Sequence, residues 1–146
     1  MKRILLVLGI LTTSTICSGF HTVSFGQQGN AQTSAQTIID ALGNQKYKIV
    51  WDKYTSQWFR TKVTEDAFLA NMSMGRAQLG VIQKSSLVSS DHSTSDPATG
   101  YQGDIYAFTY RDKYSVGEFY ERIVLIKEPD GQYRMSGLFG SPVPAQ

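Results

Sequence analysis

Apolar residues recur with a helical period through the first half of the chain. A first helix is predicted where four apolar residues share one face and Gly43 follows as a stop signal: Ala35, Ile38, Ile39 and Leu42. A second helix is predicted to begin at Asn44 and to carry one apolar stripe: Tyr47, Val50, Trp51, Tyr54 and Trp58. Thr64 is a favourable N-cap for a third helix, and Gly80 is placed to end it.

After Gly80 the apolar pattern changes to the two-residue period of strands. Val81–Val88 is predicted as a first strand, and the rest of the Ser-rich stretch to Thr99 as a mobile loop. Ile105–Tyr110 and Glu118–Lys127 are rich in aromatic and β-branched residues, which favours strands. Since Glu118–Lys127 is apolar on both faces, we expect it to lie centrally in the sheet.

A turn is predicted at Glu128-Pro129-Asp130-Gly131, and it leads into a last strand over Tyr133–Phe139. Runs of helices followed by runs of strands indicate an α+β fold. We therefore expect N-terminal helices packed on a C-terminal curved antiparallel sheet of three to four strands.

The first residues of the chain have the profile of a secretory signal. Lys2 and Arg3 precede an apolar run that is too short and too polar to span a bilayer, and no acidic residue occurs before Asp40. We expect cleavage near Gly26, which gives these parts: a signal peptide over 1–26, a disordered leader over 27–34, one domain over 35–141 and a flexible tail over 142–146. The product would be periplasmic or extracellular.

Cleavage changes both the charge and the cysteine content. The chain has 14 Lys and Arg, 12 Asp and Glu and a net charge of +2. Removing Lys2 and Arg3 leaves 12 basic residues against 12 acidic ones, so nucleic acid is not an expected partner. Cys17, the single cysteine, would leave with the signal, and membrane anchoring is expected only if Cys17 is lipidated.

Several spaced motifs resemble one bacterial family. They are Tyr47-x3-Trp51-x3-Thr55-x3-Phe59-x3-Val63, Phe68, Arg76-x2-Leu79-Gly80, Glu121–Leu125, Asp130-Gly131-x-Tyr133-Arg134 and Gly137-x-Phe139. Over Ala35–Gly140 the chain resembles the family known as domain of unknown function 4019. The resemblance implies a cone-like α+β fold of the nuclear-transport-factor-2-like or cystatin-like kind, and no particular reaction. The family usually has Trp where this chain has Phe68 and Tyr133, and a basic residue after the Leu-Gly step, for which Lys84 is the candidate here. The resemblance therefore does not fix the detailed shape of any pocket.

Glu121 is the leading candidate for a site residue because it alternates with apolar neighbours in its predicted strand. One interpretation is a buried ion pair, with Arg76 or the neighbours of Arg122 as the partner. The other is a carboxyl group with a raised pKa at the base of a cavity, acting as acid or base in a small hydrolase or isomerase. The ion pair is favoured, because buried charges are normally paired.

Other candidates have plainer interpretations. Three aromatic residues belong first to the core and could instead line an apolar pocket: Trp51, Trp58 and Phe68. Asp104 and Tyr106 are candidates for a pocket rim. His21 would leave with the signal, and a metal site at Asp91, His92 and Asp96 is not expected, because a loop does not fix its ligands.

Together these features favour a non-catalytic exported module. We expect it to bind a small apolar ligand or a protein, or to assemble with itself through an exposed sheet face, without a metal or other cofactor. A structural module of the cell envelope is a further alternative. It would present an exposed apolar patch, which we expect near Thr99–Tyr101 and Tyr110–Tyr114.

Overall fold

The computed structural model describes residues 25–144. Most of the predicted signal segment, with Cys17 and His21, lies outside the described residues. Four helices come first: α1 (Phe25–Gly43), α2 (Tyr47–Tyr54), α3 (Gln57–Arg60) and α4 (Glu65–Ala77). Four strands follow: β1 (Lys84–Asp96), β2 (Tyr101–Tyr114), β3 (Gly117–Lys127) and β4 (Tyr133–Pro142).

The strands form one antiparallel sheet in the order β1-β2-β3-β4. This confirms the predicted α+β fold, with helices first and an antiparallel sheet after. β3 lies between β2 and β4, the inner position expected from its two apolar faces. The turn between β3 and β4 is also confirmed: Gly131 has a φ of 81°, which suits glycine, and its N–H donates to the Glu128 carbonyl at 2.8 Å.

The apolar core lies between the helices and one face of the sheet. From the sheet it takes Tyr106, Phe108, Tyr110, Ile123, Leu125 and Met135. From the helices it takes Ile38, Ile39, Leu42, Val50, Trp51 and Phe68. Each large apolar side chain buried in this way stabilises the fold by about 1.5–3 kcal/mol.

The prediction of a disordered leader over 27–34 is wrong. These residues lie in α1, which extends the first helix by several turns toward the N-terminus. Ala31 and Ala35 are fully buried against the core, one helical turn apart. The sequence pattern missed this part because one small apolar side chain among Gln, Gly and Asn is a weak periodic signal, while packing decides its structure.

The second predicted helix is interrupted. α2 ends at Tyr54, since Thr55 is extended and pairs with Met135 of β4. The Ser56 hydroxyl then accepts from the Phe59 N–H at 3.0 Å and caps the short helix α3. Trp58 is thereby turned away from the apolar stripe of α2, which corrects the predicted continuous stripe.

The Ser-rich stretch is a strand, not the predicted mobile loop. β1 runs from Lys84 to Asp96 and pairs with β2 along its length, with register shifts near Val88 and Thr94. Most of its side chains are exposed, so no apolar alternation marks it in the sequence. Such an edge strand is paired along its length by backbone hydrogen bonds, which need no apolar pattern in the sequence. The predicted tail also begins too early, because Pro142 ends β4 and the Val143 N–H donates to the Glu118 carbonyl at 2.9 Å.

Candidate functional site

A buried polar network joins α4 to the inner face of the sheet. Arg76, in the last turn of α4, donates from Nη2 to Glu121 Oε2 of β3 at 2.6 Å. Its Nη1 donates to the Tyr114 hydroxyl of β2 at 2.7 Å, and that hydroxyl donates to Glu121 Oε1 at 2.6 Å. Of the two interpretations of Glu121, the structure has the ion pair with Arg76.

The end of α4 is set by its sequence. Thr64 caps its N-terminus, where the hydroxyl accepts from the Ala67 N–H at 3.3 Å. At the other end the Gly80 N–H donates to the Arg76 carbonyl at 3.2 Å, and Gly80 has a φ of 81°. The helix therefore stops just beyond Arg76, as the caps predicted.

Both charged groups of the network are shielded from water. The side chains of Arg76 and Glu121 are each 7% exposed. Burial by itself would lower the pKa of Arg76, but the Glu121 carboxylate and Tyr114 raise that pKa above its usual value. Burial also raises the pKa of Tyr114, and so does its hydrogen bond to Glu121. The guanidinium stays charged and the phenol stays neutral.

Asp112 is a second buried carboxyl group in this region, and sequence reasoning missed it. It is 0% exposed, and within the described residues neither of its oxygens has a hydrogen-bond partner. Burial raises the pKa of Asp112 to about 6; the nearby Ser85 hydroxyl and the Arg76 charge act against the rise, and the Glu121 carboxylate adds to it. Asp112 thus stays protonated at pH values at which an exposed aspartic acid has already ionised.

A signal for Asp112 was present in the sequence. Tyr106, Phe108 and Tyr110 alternate toward the core, and the same period continues through Asp112 to Tyr114. The strand was expected to end at Tyr110, before the charged residues Arg111, Asp112 and Lys113. Extending the alternation by four residues would have placed Asp112 on the face that carries Glu121.

An open cleft lies beside the Arg76–Glu121 pair. α4 packs mainly against α2, which leaves space between α4 and the ends of β3 and β4. The cleft has a volume of about 320 Å³. Arg76 and Glu121 both line it, and its apolar lining consists of Met72, Leu79, Phe119, Leu138, Phe139 and Pro142.

The predicted aromatic residues do not gather at this cleft. Trp51 and Phe68 lie 5.6 Å apart between ring centroids, and Phe59 completes their cluster in the helix layer. Both belong to the apolar core. Trp58 lies elsewhere, with its ring 5.5 Å from Tyr101 beside a depression on the outer face of the sheet. Of the five predicted site residues, the structure brings together only Arg76 and Glu121 at the cleft.

His92 belongs to a separate cluster at the other end of β2. Its Nε2 lies 2.6 Å from Asp104 Oδ1, and the Tyr133 hydroxyl donates to Asp104 Oδ2 at 2.6 Å. Burial alone would raise the pKa of Asp104, but the contacts with Tyr133 and His92 hold that pKa below its usual value. The His92 ring lies 4.5 Å from that of Tyr106, so both predicted rim candidates contact His92.

The acidic neighbours of His92 point to other partners. Asp91 accepts from Arg122 at 2.9 Å, and Asp96 accepts from the Thr99 hydroxyl at 2.6 Å. The three residues considered for a metal therefore bind three different groups. The expected apolar patch is not present as predicted either, because Tyr110 and Tyr114 are buried on the inner face.

The family model described as "Protein of unknown function (DUF4019)" matches residues 34–138. The chain belongs to this family. The match covers β1 to β3, the first part of β4 and most of the helices. It includes Arg76 and Glu121, while the part of the cleft lining from Phe139 to Pro142 follows it. No curated protein and no solved structure matches the chain significantly. The more distant relationship to nuclear-transport-factor-2-like proteins stays a prediction.

Helix length and hydropathy bear on membrane insertion of the DUF4019 domain. Across residues 25–144, no helix is both long enough and apolar enough to cross a membrane.

A double-mutant cycle tests the network in the DUF4019 domain. Arg76→Met or Glu121→Leu should each lower the free energy of unfolding by about 3–5 kcal/mol, because each leaves a buried charge unpaired. The double variant should lose clearly less than the sum of the two, as measured by urea unfolding. The matched control is the exposed pair of Arg111 and Glu118, whose removal should cost about 0–1 kcal/mol. Additive losses at Arg76 and Glu121 would contradict the buried pair.

The pH dependence of stability tests Asp112. Because its folded pKa of about 6 exceeds its unfolded value near 4, its contribution is complete below pH 4 and is lost as the pH rises through 6. Asp112→Asn cannot ionise, so from pH 4 to pH 8 the wild type should lose about 2–2.5 kcal/mol relative to this variant. Urea unfolding of both proteins at each pH measures the difference. Parallel curves for the two proteins would show that Asp112 is not buried as described.

Proposed function

We propose that this protein is an exported, non-catalytic module that binds a small and largely apolar molecule. The binding site is the cleft between α4 and the ends of β3 and β4. One observation carries the proposal. The cleft has an apolar lining and a polar floor, formed by Arg76 and Glu121, whose groups already bind each other and Tyr114. The volume of about 320 Å³ falls at the small end of ligand pockets, which span about 300–1,000 Å³.

Catalysis by Glu121 is the weaker alternative. An acid or base must bring a carboxyl oxygen within hydrogen-bond reach of a substrate. Arg76 and Tyr114 already engage one oxygen each, at 2.6 Å in both cases. A reaction at Glu121 would first have to separate a buried ion pair, which is costly.

A structural module of the envelope is less well supported than ligand binding. It would present a contiguous apolar surface on the sheet. On the outer face, however, Ile105 and Ala107 are 8% and 6% exposed and Ile126 is 4% exposed, so little of their apolar area reaches solvent. Among the large apolar side chains of the four strands, Phe139 is the most exposed, at 61%, and it lines the proposed cleft.

Filling the cleft tests ligand binding. Gly75 lies in α4 at the cleft, and a Cβ there meets no atom within 4 Å. Gly75→Phe should keep the fold, since glycine is a poor helix former, and should occupy the cleft. The uncharged dye N-phenyl-1-naphthylamine should bind the wild type saturably, and the variant at least about tenfold more weakly. Fluorescence titration measures both affinities.

A matched control exists in α1. Gly29 is also a helical glycine whose Cβ would meet no atom within 4 Å, and it lies away from the cleft. Gly29→Phe should therefore bind the dye as the wild type does. Equal weakening by both substitutions, or no saturable binding by the wild type, would refute the cleft as the site.

Export is tested by the mass of the protein recovered from the cells that make it. Removal of residues 1–26 should leave Gln27 first, and it takes only two residues from the start of α1, since the first buried alanine is Ala31. Intact-mass spectrometry should give that mass, and Cys17→Ala should not change it. A lipid-bearing product beginning at Cys17 would instead show membrane anchoring, and an uncleaved chain would contradict export.

A further inference from the structure

The chemistry of the cleft floor restricts the kind of molecule that fits, provided that the proposed function holds. Most of the lining is apolar, and its polar side chains include the buried Arg76 and Glu121. A molecule with an apolar chain and one polar end matches this distribution, because each part then meets a surface of its own polarity. The remaining question is the nature of the polar end.

Hydrogen-bonding capacity at the floor favours an acceptor. An arginine side chain has five N–H donors. Within the part of the chain that the structure describes, the Arg76 side chain makes two hydrogen bonds, one from each Nη atom. The two oxygens of Glu121 are each engaged already. Of the two charged side chains that line the cleft, Arg76 is therefore the one with unused capacity, and that capacity is for donation; Asp112, whose oxygens have no partner among the described residues, does not line the cleft.

Charge at the floor favours an uncharged group. The charged and titratable side chains gathered there come from four elements: Tyr47 of α2, Arg76 of α4, Asp112 and Tyr114 of β2, and Glu121 of β3. Below about pH 6, where Asp112 holds its proton, Arg76 and Glu121 cancel and the set is neutral, so the preference for an uncharged group holds in that pH range. An anionic or cationic end would lose its hydration without meeting an uncompensated opposite charge.

We infer that the cleft selects an uncharged amphipathic molecule whose polar end is a hydrogen-bond acceptor, such as a ketone, ester or amide carbonyl, received by the Arg76 guanidinium. The carbonyl oxygen accepts an N–H that Glu121 and Tyr114 do not use. The apolar chain lies along the wall formed by Leu79, Phe119 and Leu138. A carboxylate brings a negative charge that the neutral floor does not compensate, and an ammonium group has no lone pair to accept an N–H of Arg76.

Three probes of equal chain length test this selection: 2-octanone, octane-1-sulfonate and octylammonium. At pH 5 the two ions are fully charged and Asp112 is largely protonated. Titration into nitrogen-15-labelled protein should shift the amide signals of Leu79 and Gly140, which line the cleft. 2-Octanone should bind at least about tenfold more tightly than either ion.

A charge change at the floor should move the preference. Glu121→Gln combined with Asp112→Asn removes both carboxyl groups and leaves Arg76 as the charged residue of the floor. Octane-1-sulfonate should then become the tightest of the three probes. If this variant does not fold, the ranking of the probes on the wild type decides the inference by itself.

The outcomes separate the inference from the proposed function. Tighter binding of either ion to the wild type would overturn the preference for an uncharged acceptor, while binding in the cleft would stand. If none of the three probes shifts the cleft signals, both the preference and the proposed function are overturned. Shifts that appear equally in Gly75→Phe would place binding outside the cleft and refute both as well.

Discussion

The Arg76–Glu121 ion pair bridges the gap between the last helix and the sheet. Two charges removed from water must compensate each other, and here the compensation is made across that gap, with Tyr114 as the third member. α4 packs mainly on α2, so the pair is its principal polar connection to β3 among the described contacts. The position of the helix end, and with it the width of the cleft, depends on this contact.

The network also decides what chemistry the cleft offers. Glu121 accepts from two donors, while Arg76, which also lines the cleft, has more N–H groups than its two hydrogen bonds use. Asp112 of β2 lies on the same face of the sheet as Glu121, and burial favours its neutral form. A floor of this kind holds a polar atom in place, and Glu121, the carboxylate that lines the cleft, is not free to act as a base. Its properties are those of a binding site.

The sequence predicted those parts of the fold whose signals are local or periodic. Thr64 and Gly80 mark the ends of α4, Gly131 marks the last hairpin, and alternation identified β2 and β3. Glu121 was noticed because it alternates with apolar residues along its strand, and Arg76 because it lies in the last turn of a helix. The parts that were missed depend on contacts between distant segments. The start of α1 packs through Ala31, and β1 is held by backbone pairing with β2.

Within the site, the missed features have the same origin. Thr55 pairs with Met135 and breaks the helical stripe that would have carried Trp58 to the core, and no local pattern announces a bridge to a strand 80 residues later. Asp112 was hidden because charged residues usually end a buried strand. Its burial next to Glu121 is unfavourable by itself, and apolar side chains in the same places would serve stability as well or better. A cluster that stability alone does not favour, located beside an open cleft, is the arrangement expected where the polar groups serve a bound molecule.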